Sequence, residues 1–564
     1  MKKKIEKKIH DAIIELQESK LWSDFDVPKI SVERPKNLVH GDWTTNIAMV
    51  LVKGLKKNPM EIAQQLIEEL QKRKDLLIAE ITVAAPGYIN FTLDVSIYAQ
   101  TVKDINNSSD AFGEGDTLEG KTICVEYTQP NPFKPFHIGH LMSNTIGESM
   151  SRLIATQGAR VVRANYQGDV GPHVAKALWA MQRDDISVDD AGLIGKAYAT
   201  GHAAYESDPK AKEEIDAINQ AIYAGDDKEL MTVYKQGRKT TLAAFEKIYA
   251  ILGTTFDAYF YESEVWERGR AIVKENAGTI FDESDGAIIF SGEKYDLHTR
   301  VFITSNDLPT YEAKELGLAL TKEEKIPADL YLITTAVEQE QYFRVVTKAI
   351  ELVEPSLRGK IEHISHGMMQ LTTGKMSSRS GNVVTGELLI KDAQKLAGEK
   401  LSERVAETVS TETIDSIAVA GIKFSILKQS LGKNIAYDQK TALSFDGDSG
   451  PYIQYTYARC HSILSTAQEQ DLSDDFVESD KIGSLERLLE RFPEVLMQAT
   501  QMRAPHMVAQ YILELAQEFN TYYAKVRVLE DGDKRAYRIA LVRATAQVLM
   551  NGLTVLGIKA PERM

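Results

Sequence analysis

The stretch KTICVEYTQPNPFKPFHIGHLMSNTIGESMSRLIATQGARVVRANYQ, residues 121–167, decides the fold of this chain. It opens on a β-rich run, KTICVEYTQ, and passes through an irregular loop, PNPFKPFHIGH. A helical pattern closed by glycine follows in LMSNTIGESMSRLIATQGA, and RVVRANYQ is a second β-rich run. Strand, loop, helix and strand within about 45 residues is the unit of a parallel, doubly wound sheet. Ligands of such sheets bind beyond the carboxyl ends of the strands. The loop joins one of those ends to a helix start, where free N–H groups and the helix dipole favour an anion. His137 and His140 stand three apart there, with Gly139 between them. The imidazoles can donate to phosphate oxygens, and the glycine lets a flat ligand approach the backbone, since no Cβ intervenes. These residues predict a nucleotide site. A metal pair or two surface histidines are the alternatives, but no third His or Cys lies near to complete a ligand set, so no metal site is expected.

Outward from this unit, 564 residues suggest three or four domains with several cores. Hydrophobic residues make up 43% and charged residues 26%, an ordinary globular composition. The formal charge of −15 argues against a coat for nucleic acid, DNA included, yet leaves room for a specific RNA met by a local basic patch. Two remote cysteines, Cys124 and Cys460, exclude a disulfide framework and a Cys-rich zinc ribbon, and fit a reducing cytosol. The start, MKKKIEKKIHDAIIELQ, lacks the apolar run of a secretory signal. No stretch of about 18 apolar residues offers a membrane span. A cytoplasmic protein is expected.

Residues 1–110 alternate helical stripes (Ile5, Ile9, Ile13, Leu16) with extended pieces, KISVERP and ITVAAPGYINFTL, and read as a small α+β domain. NNSSDAFGEGDTLEG reads as a linker. A catalytic domain is placed at 116–410, with a charged helical insertion at about 183–262 and strand signals in GAIIFS, TRVFITS, ADLYLITTA and KIEHISHGMMQL. From 411 to 564 the pattern is helical throughout. The expected class is a multidomain α/β protein: a Rossmann-type parallel sheet with a helical insertion, a small α+β domain before it and an all-α domain after it.

A second loop narrows the chemistry. GKMSSRSGN, residues 374–382, carries Lys375 and Arg379, which could neutralise a leaving pyrophosphate. Alone it would pass for a solvated turn. Together, His137-Ile138-Gly139-His140 and Lys375-Met376-Ser377-Ser378-Arg379, about 235 residues on, resemble the two signatures of class I aminoacyl-tRNA synthetases. In that family the first binds ATP on a Rossmann fold and the second closes over its phosphates. Wider stretches resemble the arginyl-tRNA synthetases: VEYTQPNPFKPFHIGH, ANYQGDVGPHVAK, SDGAIIF, LPTYEAKELGLAL, SFDGDSGPYIQYTYARCHSIL and LTVLGIKAPERM. HGDWTTNIAM and APGYINFTL resemble the N-terminal domain found mainly in arginyl enzymes. The likeness covers nearly the whole chain.

The resemblance implies an arginine–tRNA ligase. Arginine and ATP would give enzyme-bound arginyl-adenylate and pyrophosphate, and the arginyl group would pass to the terminal ribose of tRNA(Arg). Magnesium would accompany ATP, His137, His140 and Lys375 would be catalytic, and the enzyme would be a monomer. ATP would contact Lys134, His137, Gly139, His140, Lys375, Met376, Ser377 and Ser378. Arginine's guanidinium would meet Glu126, Tyr311 and Glu315, an acceptor set suited to a planar cation. Its α-amino and carboxylate groups would meet Asn131 and Gln339. The helical block would read the anticodon through Tyr455, Tyr457, Arg459 and Met564, and the N-terminal domain would touch the tRNA elbow through Tyr88 and Asn90. Departures from the family pattern are Glu315 where many members have Asp, Thr128-Gln129-Pro130-Asn131 where many have Ser-Ser-Pro-Asn, and Tyr342 for a histidine. Ser378 replaces the class's second lysine, a role assigned within the arginyl family to the lysine before the histidines, here Lys134. A catalytically idle, RNA-binding relative is the reading from another class, and both intact signatures oppose it.

Overall fold

The computed structural model describes residues 1–72, 77–372, 385–403, 409–467, 476 and 482–564. It divides into two compact units. The first comprises 1–108, 467–490 and 527–544, and the second 109–466, 491–526 and 545–564.

In the first unit a four-stranded antiparallel sheet has the order Val32–Glu33, Trp43–Thr45, Tyr88–Leu93, Ile78–Ala84. The predicted stripe Ile5, Ile9, Ile13 and Leu16 lies buried along the helix Lys2–Glu18, in one core with Ile62, Leu66, Ile89 and Phe91. The helix Val95–Ser108 overruns the start of the expected linker. Tyr98, Ala99, Val102 and Ile105 give it a buried face at helical spacing, which outweighs the polar Asn-Asn-Ser-Ser composition.

The second unit is built on five parallel strands: β1 (Thr122–Glu126), β2 (Arg160–Gln167), β3 (Ala258–Tyr261), β4 (Leu330–Ala336) and β5 (Ile361–His366). Their order is β5-β4-β1-β2-β3. The chain winds from β1 outward to β3, then returns to lay β4 on the other side of β1. Between β1 and β4 the order reverses, which opens a crevice beyond their carboxyl ends. The runs of Val, Ile and Leu in β1 and β4 follow from burial on both faces.

Helix α1 (Ile138–Ala155) connects β1 to β2, the helix Pro172–Asp184 follows β2, and three helices, Ala191–Ser207, Pro209–Ala224 and Lys228–Leu252, fill the stretch expected as the charged insertion. Helix α2 (Glu262–Glu275) packs on α3 (Tyr311–Lys325) so closely that a Cβ on Gly269 would stand 1.9 Å from the carbonyl oxygen of Ala313. Helix α4 (Glu340–Val353) leads to β5. Among the described residues after 411 the elements are helices and one strand, Ile435–Tyr437, parallel to Met369–Leu371. Three residues carry no period, and their partner lies more than sixty residues earlier, so this strand had no sequence signal. Among the described residues no helix is long and apolar enough to cross a membrane.

Candidate active site at the strand-order reversal

The loop after β1 is held under backbone constraint. Thr128, Gln129 and Phe133 adopt φ of +80°, +44° and +67°, and a β-branched threonine seldom does so without support. The support is specific. Ser143, on α1, accepts from the Thr128 amide (3.0 Å) and donates to the Thr334 carbonyl at the end of β4 (2.7 Å), spanning the crevice. Asn144 donates to the Thr128 hydroxyl (3.0 Å) and accepts from Thr254 (2.9 Å). Gly147, one turn on, leaves room for Tyr127, because a Cβ there would lie 2.2 Å from its Cγ. The Tyr127 hydroxyl donates to the buried Glu148 (2.5 Å).

The histidine spacing has a structural cause. His137 is the N-cap of α1 and His140 its third residue. The His137 Nδ1 accepts from the His140 amide (3.4 Å), and the His140 Nδ1 accepts from the His137 amide (3.2 Å), a reciprocal capping box made of two imidazoles. The rings stack, with centroids 3.5 Å apart. Burial, helped by Lys134, lowers the His137 pKa to about 4. Burial and then His137 and Lys134 hold that of His140 well below the usual imidazole range. Both rings are therefore neutral at pH 7, with Nδ1 committed to the backbone and the proton on Nε2, where it can be donated. Gly139 is not required by ligand approach alone: a Cβ there would meet the His137 ring at 3.0 Å.

Across the crevice stand buried charges. Glu126, ending β1, has one oxygen on Lys322 Nζ (2.6 Å) and the other on Gln129 (3.0 Å). Glu262, opening α2, pairs with Lys314 (2.7 Å). Glu315, 6% exposed, has no cation within ion-pair distance among the described residues. Burial, then the neighbouring Glu126 carboxylate, push its pKa up to about 8, with Lys322 opposing and Glu262 adding. The Tyr166 hydroxyl, near the end of β2, is buried without a hydrogen bond among the described residues, and the charges of Glu262, Glu315 and Glu126 bear on it. Tyr342 donates to the Tyr311 carbonyl (3.2 Å) and lies under the Arg300 guanidinium (5.4 Å).

Other expected residues gather at the same mouth. Tyr311 is 54% exposed at the start of α3, and Gln339 is exposed at the N-cap of α4, just past β4. The side-chain oxygen of Asn131 would stand 2.3 Å from a Cβ on Gly168, beside Glu262. Lys134, half-buried, sits over the ring of Tyr198 from the insertion (5.2 Å). Lys375, Met376, Ser377, Ser378 and Arg379 lie outside the described residues. Thr385, ten residues after Lys375, bridges to His137, and the Gly386 amide donates to the Phe136 carbonyl (2.7 Å). Lys314, Lys322 and Glu262 were missed from the sequence. Their signal was faint: Glu315, Ala319 and Lys322 share one helical stripe, so an apolar face ends on a lysine.

Three family models match the chain: the arginyl-tRNA synthetase N-terminal domain at 3–93, the class I (R) tRNA synthetase catalytic domain at 102–438 and the DALR anticodon-binding domain at 453–564. The chain belongs to the arginyl-tRNA synthetase family. It is 30% identical over 543 residues to the arginine–tRNA ligase of Latilactobacillus sakei, covering 94% of this chain and 95% of that one. It is 30% identical over 553 residues to that of Clostridium botulinum, covering 96% and 97%. Among solved structures, the Thermus thermophilus arginyl-tRNA synthetase superposes with a TM-score of 0.80 at 25% identity over the whole of both chains.

Within this arginyl-tRNA synthetase family member, the residues expected at tRNA divide by exposure. Tyr88 is exposed at a strand start. Asn90 shares the face of Tyr88, opposite the core side chains of Ile89 and Phe91, and is covered there by its cross-strand neighbours, accepting from the Thr44 hydroxyl (2.7 Å). Tyr457 is also core, its hydroxyl against the Met550 sulfur (3.7 Å), because the helix Gly450–Thr466 buries that face. As placed, Asn90 and Tyr457 present no surface to RNA. Arg459 lies between the rings of Tyr455 (5.0 Å) and Tyr523 (5.6 Å) and bonds Asn520. Met564 is half-buried. Tyr523, beside Arg459, is 41% exposed.

Proposed function

We propose that the chain performs the family reaction at this crevice, with the lone carboxylate of Glu315 as the observation that carries the arginine assignment. A buried, unpaired carboxyl is costly, and a guanidinium is the cation whose fork matches it. Tyr311 would add a phenol, Asn131 and Gln339 would orient the α-amino and carboxylate groups, and Glu126 would complete the acid wall. The carboxylate of arginine attacks the α-phosphorus of ATP, and the α–β phosphoanhydride bond breaks with departure of pyrophosphate. The terminal ribose hydroxyl of tRNA(Arg), the 2′ one by family resemblance, then attacks the activated carbonyl and AMP leaves. His137 and His140 donate Nε2–H to the nucleotide without carrying charge of their own, and Lys134 and Lys375 offset charge on the departing phosphates. Catalysis is then positioning and electrostatic stabilisation.

ATP is a substrate of the class. Magnesium is proposed with it, but no group of three or more His, Cys, Asp or Glu gathers to hold a metal among the described residues. The phosphates would carry most of its ligands, and no step is routed through it. The proposed organisation is a tRNA-elbow domain at 1–110, the catalytic domain at 116–410 with its insertion at about 183–262, and an anticodon domain at 411–564. Tyr88 serves the elbow. Tyr455, Arg459 and Met564 serve the anticodon. A cytoplasmic monomer without DNA affinity completes the proposal.

The test is ATP–pyrophosphate exchange with each of the twenty amino acids, with and without total tRNA. Exchange with arginine alone is expected, and only with tRNA present. Exchange lost in Lys375→Ala with tRNA affinity retained supports the pyrophosphate role. No exchange with any amino acid sinks the ligase reading.

A further inference from the structure

The stretch GDVGPH, residues 168–173, follows β2 at the carboxyl end of the sheet and holds a histidine to which the adenylate chemistry gives no role. His173 is 5% exposed, in the first turn of the helix Pro172–Asp184. Its Nε2 stands 2.8 Å from the Gly168 carbonyl oxygen, which can only accept, so Nε2 carries the proton. Nδ1 is then a lone-pair acceptor, buried with no hydrogen-bond partner among the described residues. Protonation does not relieve it. Burial, then Lys134, lower the pKa to about 3, with Lys314 and Lys176 adding and the Gly168 bond opposing. A buried acceptor left unmet is costly, and this one lies at the crevice. A Cβ on Gly171 would stand 3.8 Å from both Nδ1 and the Lys314 Nζ, so imidazole and ammonium border one point. Five residues before His173, a Cβ on Gly168 would meet the Asn131 side-chain oxygen at 2.3 Å and Glu262 at 3.0 Å.

We propose that His173 Nδ1 accepts a hydrogen bond from a non-attacking ribose hydroxyl of a bound substrate and so fixes that ribose in the crevice. Nδ1 takes only a donor, which excludes a bare phosphate or carboxylate oxygen. Lys134, Lys176 and Lys314 all bear on the ring, and their charge repels an ammonium, arginine's α-amino group included. A neutral donor remains. An adenine amino group only donates, and its second N–H would face the Lys314 ammonium. A hydroxyl donates to Nδ1 and accepts from that ammonium, whose bond to Glu262 (2.7 Å) uses one of its three donors. An attacking hydroxyl must give up its proton, and an imidazole held at about 3 is a poor base for it, so the bonded hydroxyl is one that keeps its proton. The family reaction brings two riboses, that of ATP and that of the terminal adenosine of tRNA. The inference rests on the arginine–tRNA ligase reading.

The test crosses wild type, His173→Leu and His173→Gln with substrates that each lack one hydroxyl. ATP, 2′-deoxy-ATP and 3′-deoxy-ATP are compared in tRNA-dependent pyrophosphate exchange. Transfer RNA ending in adenosine or 3′-deoxyadenosine is compared in single-turnover transfer from preformed adenylate. In one of the two arms, loss of the bonded hydroxyl should cost wild type about tenfold and His173→Leu nothing further, and that arm names the ribose. His173→Gln, whose amide can meet the Gly168 carbonyl and still offer an oxygen, should stay within about threefold of wild type in both arms. Nitrogen-15 spectra of the wild-type protein follow the contact whether or not His173→Leu folds. The His173 signals are assigned by their loss in His173→Gln, and Nδ1 should move toward the hydrogen-bonded range on adding ATP with arginine, or tRNA. An Nδ1 signal unmoved by every substrate overturns the proposal, as do hydroxyl losses that cost wild type and a folded His173→Leu equally in both arms. If wild type shows no arginine-dependent exchange, the ligase reading falls, and the spectra with ATP and with tRNA still decide the contact.

Discussion

Arginine binding should release a proton, and Glu315 sets how many and over which pH range. In the free protein its pKa stands at about 8, above the ordinary 4.5, because burial and the Glu126 carboxylate disfavour its charge more than Lys322 favours it. A guanidinium beside it reverses that preference. If only the ionised form accepts arginine, the apparent dissociation constant scales as one plus ten to the power of pKa minus pH. Affinity is then about tenfold weaker at pH 7 than at its alkaline limit and about a hundredfold weaker at pH 6. Near pH 7 most of one proton should leave per arginine bound. Calorimetric titration in buffers of different ionisation enthalpy counts those protons directly. Glu126, Lys322, Glu262, Tyr166 and Tyr342 all bear on this carboxyl, so Glu315→Gln is the control that isolates it. The variant should bind arginine about 10- to 100-fold more weakly at alkaline pH, and its proton release should vanish. The stability sign follows as well. Between 4.5 and about 8 the folded state holds a proton that the unfolded chain has lost, so this group's contribution falls as pH rises, and arginine restores it. A flat affinity between pH 6 and 8, or a slope that survives Glu315→Gln, would refute the assignment.

Three further outcomes are expected. Replacing His140 by Ala removes one Nε2–H donor and half of the capping box. It should lower kcat for adenylate formation by about 100-fold, as for loss of a preorganised donor, read by pyrophosphate exchange. Gly147→Ala forces a Cβ to 2.2 Å from the Tyr127 ring and should cost about 1–3 kcal/mol of overpacking, read by denaturant unfolding. Arg459→Ala and Tyr523→Ala open the stacked ladder on the helical region. Each should raise the KM for tRNA about 5- to 100-fold without changing arginine affinity, if loop bases stack there.

Much of the fold was legible because its signals are local. The β1–α1–β2 unit is encoded by adjacent runs of apolar residues, and the Ile5 to Leu16 stripe lies where the helical period puts it. The helix Val95–Ser108 runs into the first residues of the expected linker at 106–120, because its buried face outweighs their polar composition. Burial sets Asn90 and Tyr457 apart from the exposed Tyr88, and no local pattern announces it, since an asparagine or a tyrosine in a pattern does not state how closely its neighbours cover it.

The sequence by itself determined that a nucleotide loop follows the first strand of a parallel sheet, that two imidazoles three apart open a helix, and that the chain resembles the arginyl-tRNA synthetases from end to end. Those features depend on neighbours in the chain and on spacing. Which carboxylate is free was decided only in three dimensions. Glu126 lies 196 residues from Lys322, and Glu262 lies 52 from Lys314, so neither pairing has a period or a local motif to announce it. Parallel strand order brings β1 against β4 and packs α3 on their sheet, and the low dielectric there is what makes an unpaired Glu315 costly to ionise.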